Sequence, residues 1–176
     1  APRVAEFPSG MMNAVGLANP GLESVRAEHL PWLAARVKAA RVLVNVVGSR
    51  LEHYAEVVAG LEGAAGVHGF ELNVSCPNVR AGGTEFGADP EALAELVRRA
   101  RQATKLPLFV KLSPTLSDIA RTASVALDAG ANGLTLINTM PGLLVDVDAR
   151  EPELGFGSGG VSGGALLPIG FLATSK

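Results

Sequence analysis

The segment ELNVSCPNV (71–79) holds the chain's one cysteine, Cys76, between a serine and a proline with an asparagine on either side. A thiolate can act as nucleophile, metal ligand or proton acceptor. A lone cysteine is more often a small buried hydrophobe, but the position of Cys76 points the other way. It follows a strand-like run, in the kind of loop where binding and catalytic groups concentrate, and Pro77 holds it in the extended region. The loop runs on through VRAGGTEFGADP, with Gly82, Gly83 and Gly87, in the manner of a lid.

Four asparagines add to this. Each amide offers one acceptor and two donors, so Asn13, Asn73, Asn78 and Asn138 suit a ligand whose edge alternates N–H and C=O, as a pyrimidine ring does. Any one of them alone is explained as a turn residue; Asn73 and Asn138, at strand ends, fit that explanation less well. Lys111 is a charge inside the apolar FVKL, and lysine is almost never buried unpaired. It suits an anion or an electron-rich cofactor; an edge strand with one solvated face is the alternative.

Other features carry less. His29, His53 and His68 sit in separate elements without metal-ligand spacing, so no metal site is expected. Trp32, beside Pro31, is expected to pack. GFGSGG (155–160) matches a dinucleotide fingerprint, but no strand precedes it and no helix opens from it. GVSGG (160–164) matches a nucleophile elbow, but no histidine follows His68.

The reactive groups need a scaffold. VLVNVV (42–47), GFELNVS (69–75), PLFVKL (107–112) and NGLTLIN (132–138) read as buried strands. Between them, SRLEHYAEVVAGLEG (49–63) sets Leu51, Tyr54, Ala55, Val58 and Leu61 at helical spacing. Asp89 and Pro90 open a helix to about Thr104; Ser117 caps another through Leu127, which Gly130 ends. Strands alternating with helices predict a parallel sheet. An open doubly wound sheet and a (β/α)8 barrel both fit. Asn45, Asn73, Lys111 and Asn138 each lie at or near the C-terminal end of a different strand. That favours the barrel, where all strand ends converge on one mouth; in an open sheet only strands beside the switch point reach the ligand. After residue 138 the pattern dissolves into a Gly-rich stretch with little periodicity.

Bulk properties narrow the class. With 176 residues, 48% hydrophobic and 18% charged, the chain is globular and long enough for one core. A net charge of −2 gives no reason to expect a nucleic-acid partner. One cysteine excludes an internal disulfide and favours a reducing, cytoplasmic setting. No apolar run reaches the ~18 residues of a membrane helix. The start, APRVAEFPSG, reads as an interior cut.

PSGMMNAVGL (8–17), VNVVGS (44–49), ELNVSCPNVRAGG (71–83), FGADPE (86–91), FVKLSP (109–114), LINT (136–139) and GGVSG (159–163) follow in an order that resembles the dihydroorotate dehydrogenases, specifically the class 1B, NAD-linked catalytic subunits. The resemblance implies a TIM barrel carrying FMN at its mouth, incomplete here at about four to five βα units over residues 1–176. It implies oxidation of dihydroorotate to orotate in pyrimidine (UMP) biosynthesis, with Cys76 taking the C5 proton and FMN accepting the hydride. The positions matching substrate contacts are Asn13, Gly16, Leu17, Asn73, Asn78, Asn138 and Thr139. Those matching FMN contacts are Asn45, Asn73, Lys111, Ile137 and Gly163. The implied partners are a separate electron-transfer subunit with FAD and an iron–sulfur cluster, which one cysteine here cannot ligate, and a second copy in a homodimer core.

The chain resembles the central part of such an enzyme. The N-terminal FMN loop and the C-terminal strands that hold the FMN phosphate are missing, and the pattern departs after about residue 164. Gly164 stands where the family usually has proline, and GFLATSK (170–176) does not read as the expected helix. Two other readings stand beside this one. One is the uracil- or thymine-reducing domain of dihydropyrimidine dehydrogenase, which shares an SCPN-like loop; the other is an inactive truncated fragment.

Overall fold

The computed structural model describes residues 1–75 and 85–176. Cys76, Asn78 and most of the lid-like loop therefore lie outside the described residues. The chain opens on a hairpin of β1 (Val4–Phe7) and β2 (Gly10–Asn13). A helical stretch follows: α1 (Leu22–Ser24), a π turn over Val25–His29, and α2 (Leu30–Arg36). Then come β3 (Leu43–Val46), α3 (Leu51–Leu61), β4 (Gly69–Asn73), α4 (Pro90–Gln102), β5 (Leu108–Lys111), α5 (Ile119–Asp128) and β6 (Gly133–Thr135).

β3, β4, β5 and β6 form a parallel sheet in chain order, each neighbour reached through one of the three helices. The period-two alternation of a strand divides its side chains between two faces. Val46, Phe70, Leu72, Leu108 and Val110 are fully buried. They meet Tyr54, Val58 and Leu61 from α3, Leu93, Leu96 and Val97 from α4, and Ala126 from α5. Burying each large apolar side chain is worth about 1.5–3 kcal/mol. The opposite face carries Asn45, Glu71, Asn73, Phe109, Lys111 and Thr135, most of them only half-buried.

Local signals explain the helix ends. Asp89 Oδ1 accepts from the backbone N–H of Glu91 (3.0 Å) and Ala92 (3.2 Å), with Pro90 in the first turn. The cap of α5 is Asp118, not Ser117: its Oδ1 accepts from Arg121 N at 2.9 Å. Gly130 follows α5 at φ 112°, a left-handed stop that a side chain would strain.

The described residues form no closed barrel; the fold is mixed α/β around an open four-stranded parallel sheet. Lys111 is not on an edge strand, which sets that alternative aside, since β5 lies between β4 and β6. The Gly-rich stretch after 138 is ordered into β7 (Met140–Gly142), β8 (Val145–Asp146), β9 (Glu151–Pro152) and β10 (Gly159–Ser162). A second, antiparallel sheet runs β1-β2-β10-β7. Its glycines are there for close approach: a Cβ on Gly159 would lie 2.5 Å from the Asn13 carbonyl oxygen. Trp32 is 54% exposed and packs under the Arg36 guanidinium, 4.7 Å from the ring centre, rather than in the core.

The end of the chain also differs from expectation. GFLATSK lies largely within α6 (Leu167–Thr174), opened by Pro168 in its first turn. The helix is apolar on every side, so no amphipathic period marks it, and none of its residues is buried. Among the described residues no helix is long and apolar enough to cross a membrane.

Phe171 and Leu172 of α6 are 68% and 60% exposed, and β3 and β6 each leave a free sheet edge among the described residues. Such surfaces promote association. Residues 1–176 expressed alone are therefore expected to sediment above monomer mass, and Phe171→Ser with Leu172→Ser to reduce that mass. A monomer at every concentration would contradict this.

Candidate active site

The C-terminal ends of the parallel strands are held together by specific bonds. Tyr54 of α3 donates from its hydroxyl to the Asn73 carbonyl at 2.9 Å and stacks edge-on against Phe86, ring centres 5.7 Å apart. One buried ring thus fixes the end of β4 and the approach to α4. Ser75 Oγ donates to the Lys111 carbonyl at 3.1 Å, tying β4 to β5. Beyond β6, Asn138 N donates to the Leu112 carbonyl at 2.9 Å. That places the Asn138 amide beside Asn73, with Nδ2 3.4 Å from Asn73 Oδ1. Asn138 Oδ1 in turn accepts from Thr139 N at 2.8 Å.

Below this pair, Glu71 spans the open face. Its Oε1 accepts from Asn45 Nδ2 and its Oε2 from Thr135 Oγ1, both at 2.6 Å. The carboxylate is satisfied by two neutral donors on β3 and β6, charge-assisted bonds of the stronger kind. Lys111, in register with Asn73 and Thr135, forms no ion pair among the described residues.

The chain passes from Thr139 straight into β7, which lays the antiparallel sheet against these strand ends. Between them is a cavity of about 520 Å³. Asn13, Gly16, Leu17, Asn73, Asn138 and Thr139 all line it, as do Ser75, Glu85 and Ser113. Asn13, at the end of β2, donates through Nδ2 to the Gly160 carbonyl at 3.4 Å. Asn45 lines a neighbouring cavity of about 310 Å³ together with Gly16 and Leu17. Lys111 and Ile137 line neither. Gly163 is set apart, against Ser9 and Gly10 of the β1–β2 turn. His53 bonds Ser49 and Arg50 and His68 accepts from Val42 N; the described residues hold no cluster fit for a metal.

Glu85 is the most unusual group in the wall. Its Oε1 accepts from Ser113 Oγ (3.2 Å) and Thr115 Oγ1 (3.5 Å), while Oε2 is buried with no hydrogen-bond partner among the described residues. Burial raises its carboxyl above the ordinary glutamate value, and the two hydroxyl bonds only partly oppose this.

Comparison with known proteins settles the kinship of this chain. The sequence model described as dihydroorotate dehydrogenase matches residues 1–174. The chain belongs to the dihydroorotate dehydrogenase family. It is 49% identical over 168 residues to the "Dihydroorotate dehydrogenase B (NAD(+)), catalytic subunit" of Anoxybacillus flavithermus, covering 96% of this chain and 53% of the relative. The proteins of the same name from Geobacillus kaustophilus and Latilactobacillus sakei are 48% and 47% identical, with 96% of this chain covered and 53% and 55% of theirs. The chain spans about half the length of the curated relatives it matches. Among solved structures, the carboxyl transferase domain of Rhizobium etli pyruvate carboxylase reaches a TM-score of 0.47 at 21% identity, over 65% of this chain and 19% of that one. So slight a likeness bears on nothing here.

Sequence reasoning passed over two polar groups of this dihydroorotate dehydrogenase family member. Glu71 lies two residues before Asn73, hence on the same strand face, and that spacing is a usable signal. Glu85 carries none, because its partners lie about 30 residues downstream.

A carboxyl raised by burial binds its proton more tightly in the folded than in the unfolded chain. Stability should therefore fall as pH climbs from the ordinary value of 4.5 through the raised one. Glu85→Gln is expected to flatten that slope in urea titrations at successive pH values. An unchanged slope would contradict the assignment.

Proposed function

We propose that this chain is the substrate-binding part of a flavin-dependent dihydroorotate dehydrogenase that oxidises dihydroorotate to orotate in pyrimidine biosynthesis. The observation that carries this is the cavity in which Asn13, Asn73, Asn138 and Thr139 meet at the strand ends, in a chain of this family. Their amides match the alternating N–H and C=O edge of a dihydropyrimidine. The named relatives are dihydroorotate dehydrogenases, which sets the uracil-reducing reading aside.

The reaction removes a proton from C5 and a hydride from C6. Cys76, three residues beyond Asn73, is the proposed proton acceptor, and Asn78 completes the substrate contacts. Gly16 and Leu17 close the cavity from the β2 side. The residues present fit FMN on two observations: the open face carries an ammonium with no ion pair among the described residues, and the Asn45 amide is held in place by Glu71. When bound, FMN supplies the two-electron acceptor. Asn45, Asn73, Lys111 and Ile137 are the proposed contacts, with Lys111 offsetting the negative charge that reduction places on the cofactor. Gly163 fits this role less well, lying against the β1–β2 turn.

In this reading the open parallel sheet is one arc of a TIM barrel, spanning residues 1–176 with a departure after about 164. Its polar face becomes the barrel interior and its strand ends the mouth. Electrons leave for NAD through a separate subunit with FAD and an iron–sulfur cluster. The catalytic chain forms a homodimer core in the cytoplasm.

Cys76→Ala in the flavin-loaded enzyme should slow flavin reduction by dihydroorotate about 10²–10⁴-fold, the usual worth of a positioned base, with flavin content unchanged. Near-normal reduction would overturn the role of Cys76. Lys111→Ala should lower the flavin potential or flavin retention, and wild-type values of both would return Lys111 to a solvated surface charge.

A further inference from the structure

Glu85 stands between two cavities. One is the site cavity; the other, about 560 Å³, lies beside the N-terminus of α5 and is lined by Pro90, Leu116, Asp118 and Arg121 among others. An ionised Glu85 would keep a partly desolvated charge with one oxygen, Oε2, unpaired among the described residues, an arrangement that is expensive in a buried site. A proton on Oε2 removes the charge and turns that oxygen into a donor in need of an acceptor. The described amide oxygens lining the site cavity each already accept one hydrogen bond. Asn73 Oδ1 takes Asn138 Nδ2, Asn138 Oδ1 takes Thr139 N, and Asn13 Oδ1 takes Val15 N.

An oxygen of a ligand entering the cavity can supply that acceptor. A pyrimidine bearing a carboxylate brings two ring carbonyls and an anionic group, and it would be repelled by a second carboxylate in the cavity. We propose that Glu85 is a specificity-determining residue that meets the anionic pyrimidine as a neutral carboxylic acid, donating from Oε2 to a ligand oxygen and taking up a proton as the ligand enters. The proposal rests on the functional reading above.

Burial already biases the carboxyl toward its protonated form, and an arriving anion pushes it the same way. By linkage, affinity for the anion then falls as pH rises past the value of the free site, by at most about tenfold per pH unit for one proton. The charged groups that share a cavity wall with Glu85 among the described residues are Asp118 and Arg121, on the outer cavity. Neither forms an ion pair with it.

The test is calorimetric titration of orotate into the flavin-loaded enzyme, repeated in buffers of different ionisation enthalpy and at several pH values. Wild type should take up a fraction of a proton per orotate. Glu85→Gln should take up almost none and lose most of the pH dependence of its affinity. An infrared difference spectrum of wild type with orotate should gain the band of a protonated carboxyl, a readout that stands if Glu85→Gln fails to fold. Proton release on binding, equal uptake by both proteins, or no such band would overturn the proposal while leaving the functional reading intact. Absence of any orotate binding by wild type would overturn both.

Discussion

The register of four parallel strands is the constraint on which everything else depends. Asn45 pairs with Glu71, Asn73 with Lys111, and Lys111 with Thr135. Paired residues in adjacent strands point to the same side, so one register places Asn45, Glu71, Asn73, Lys111 and Thr135 on one face and Val46, Phe70, Leu72, Leu108 and Val110 on the other. A slip of one residue on any strand would exchange the two sets. It would set Glu71 or Lys111 among Tyr54, Leu93 and Leu96, where an unpaired charge cannot stay. The buried core thus enforces the position of the site.

Electrostatics on the open face follow from the same register. Glu71 and Lys111 share that face with opposite charges, yet the carboxylate is occupied by Asn45 and Thr135. The ammonium is left uncompensated by any described neighbour, which is what binding an electron-rich group asks of it. Two of the asparagines polarise one another through a single amide contact, and Tyr54 anchors that pair from behind through the Asn73 backbone. The antiparallel sheet then closes the cavity, brought close because β10 presents glycine to Asn13 and Thr139.

Much of this was legible in the sequence, for reasons that differ element by element. β3 through α5 announce themselves through short apolar runs, helical spacing and caps such as Asp89, all of which are local signals. The antiparallel sheet was not legible. Met12 pairs with Val161 across most of the chain, and glycines chosen for close approach leave no side-chain period to read. Helix α6 escaped because it is apolar on all sides, and Ser117 was preferred to Asp118 because cap chemistry alone does not separate neighbouring cap residues. Within the site, asparagines and Lys111 stood out as polar groups in apolar surroundings. Glu85 depends on Ser113 and Thr115, which only the tertiary fold brings to it.

The central claim is that the cavity at the strand ends receives a pyrimidine beside the flavin, with Asn73 touching it. The most direct test is the visible spectrum of the flavin-loaded enzyme during titration with orotate. A saturable perturbation of the flavin band, lost or strongly weakened in Asn73→Ala at equal flavin content, is the predicted result. A spectrum that orotate leaves unchanged, or an Asn73→Ala variant that responds as wild type does, would contradict it.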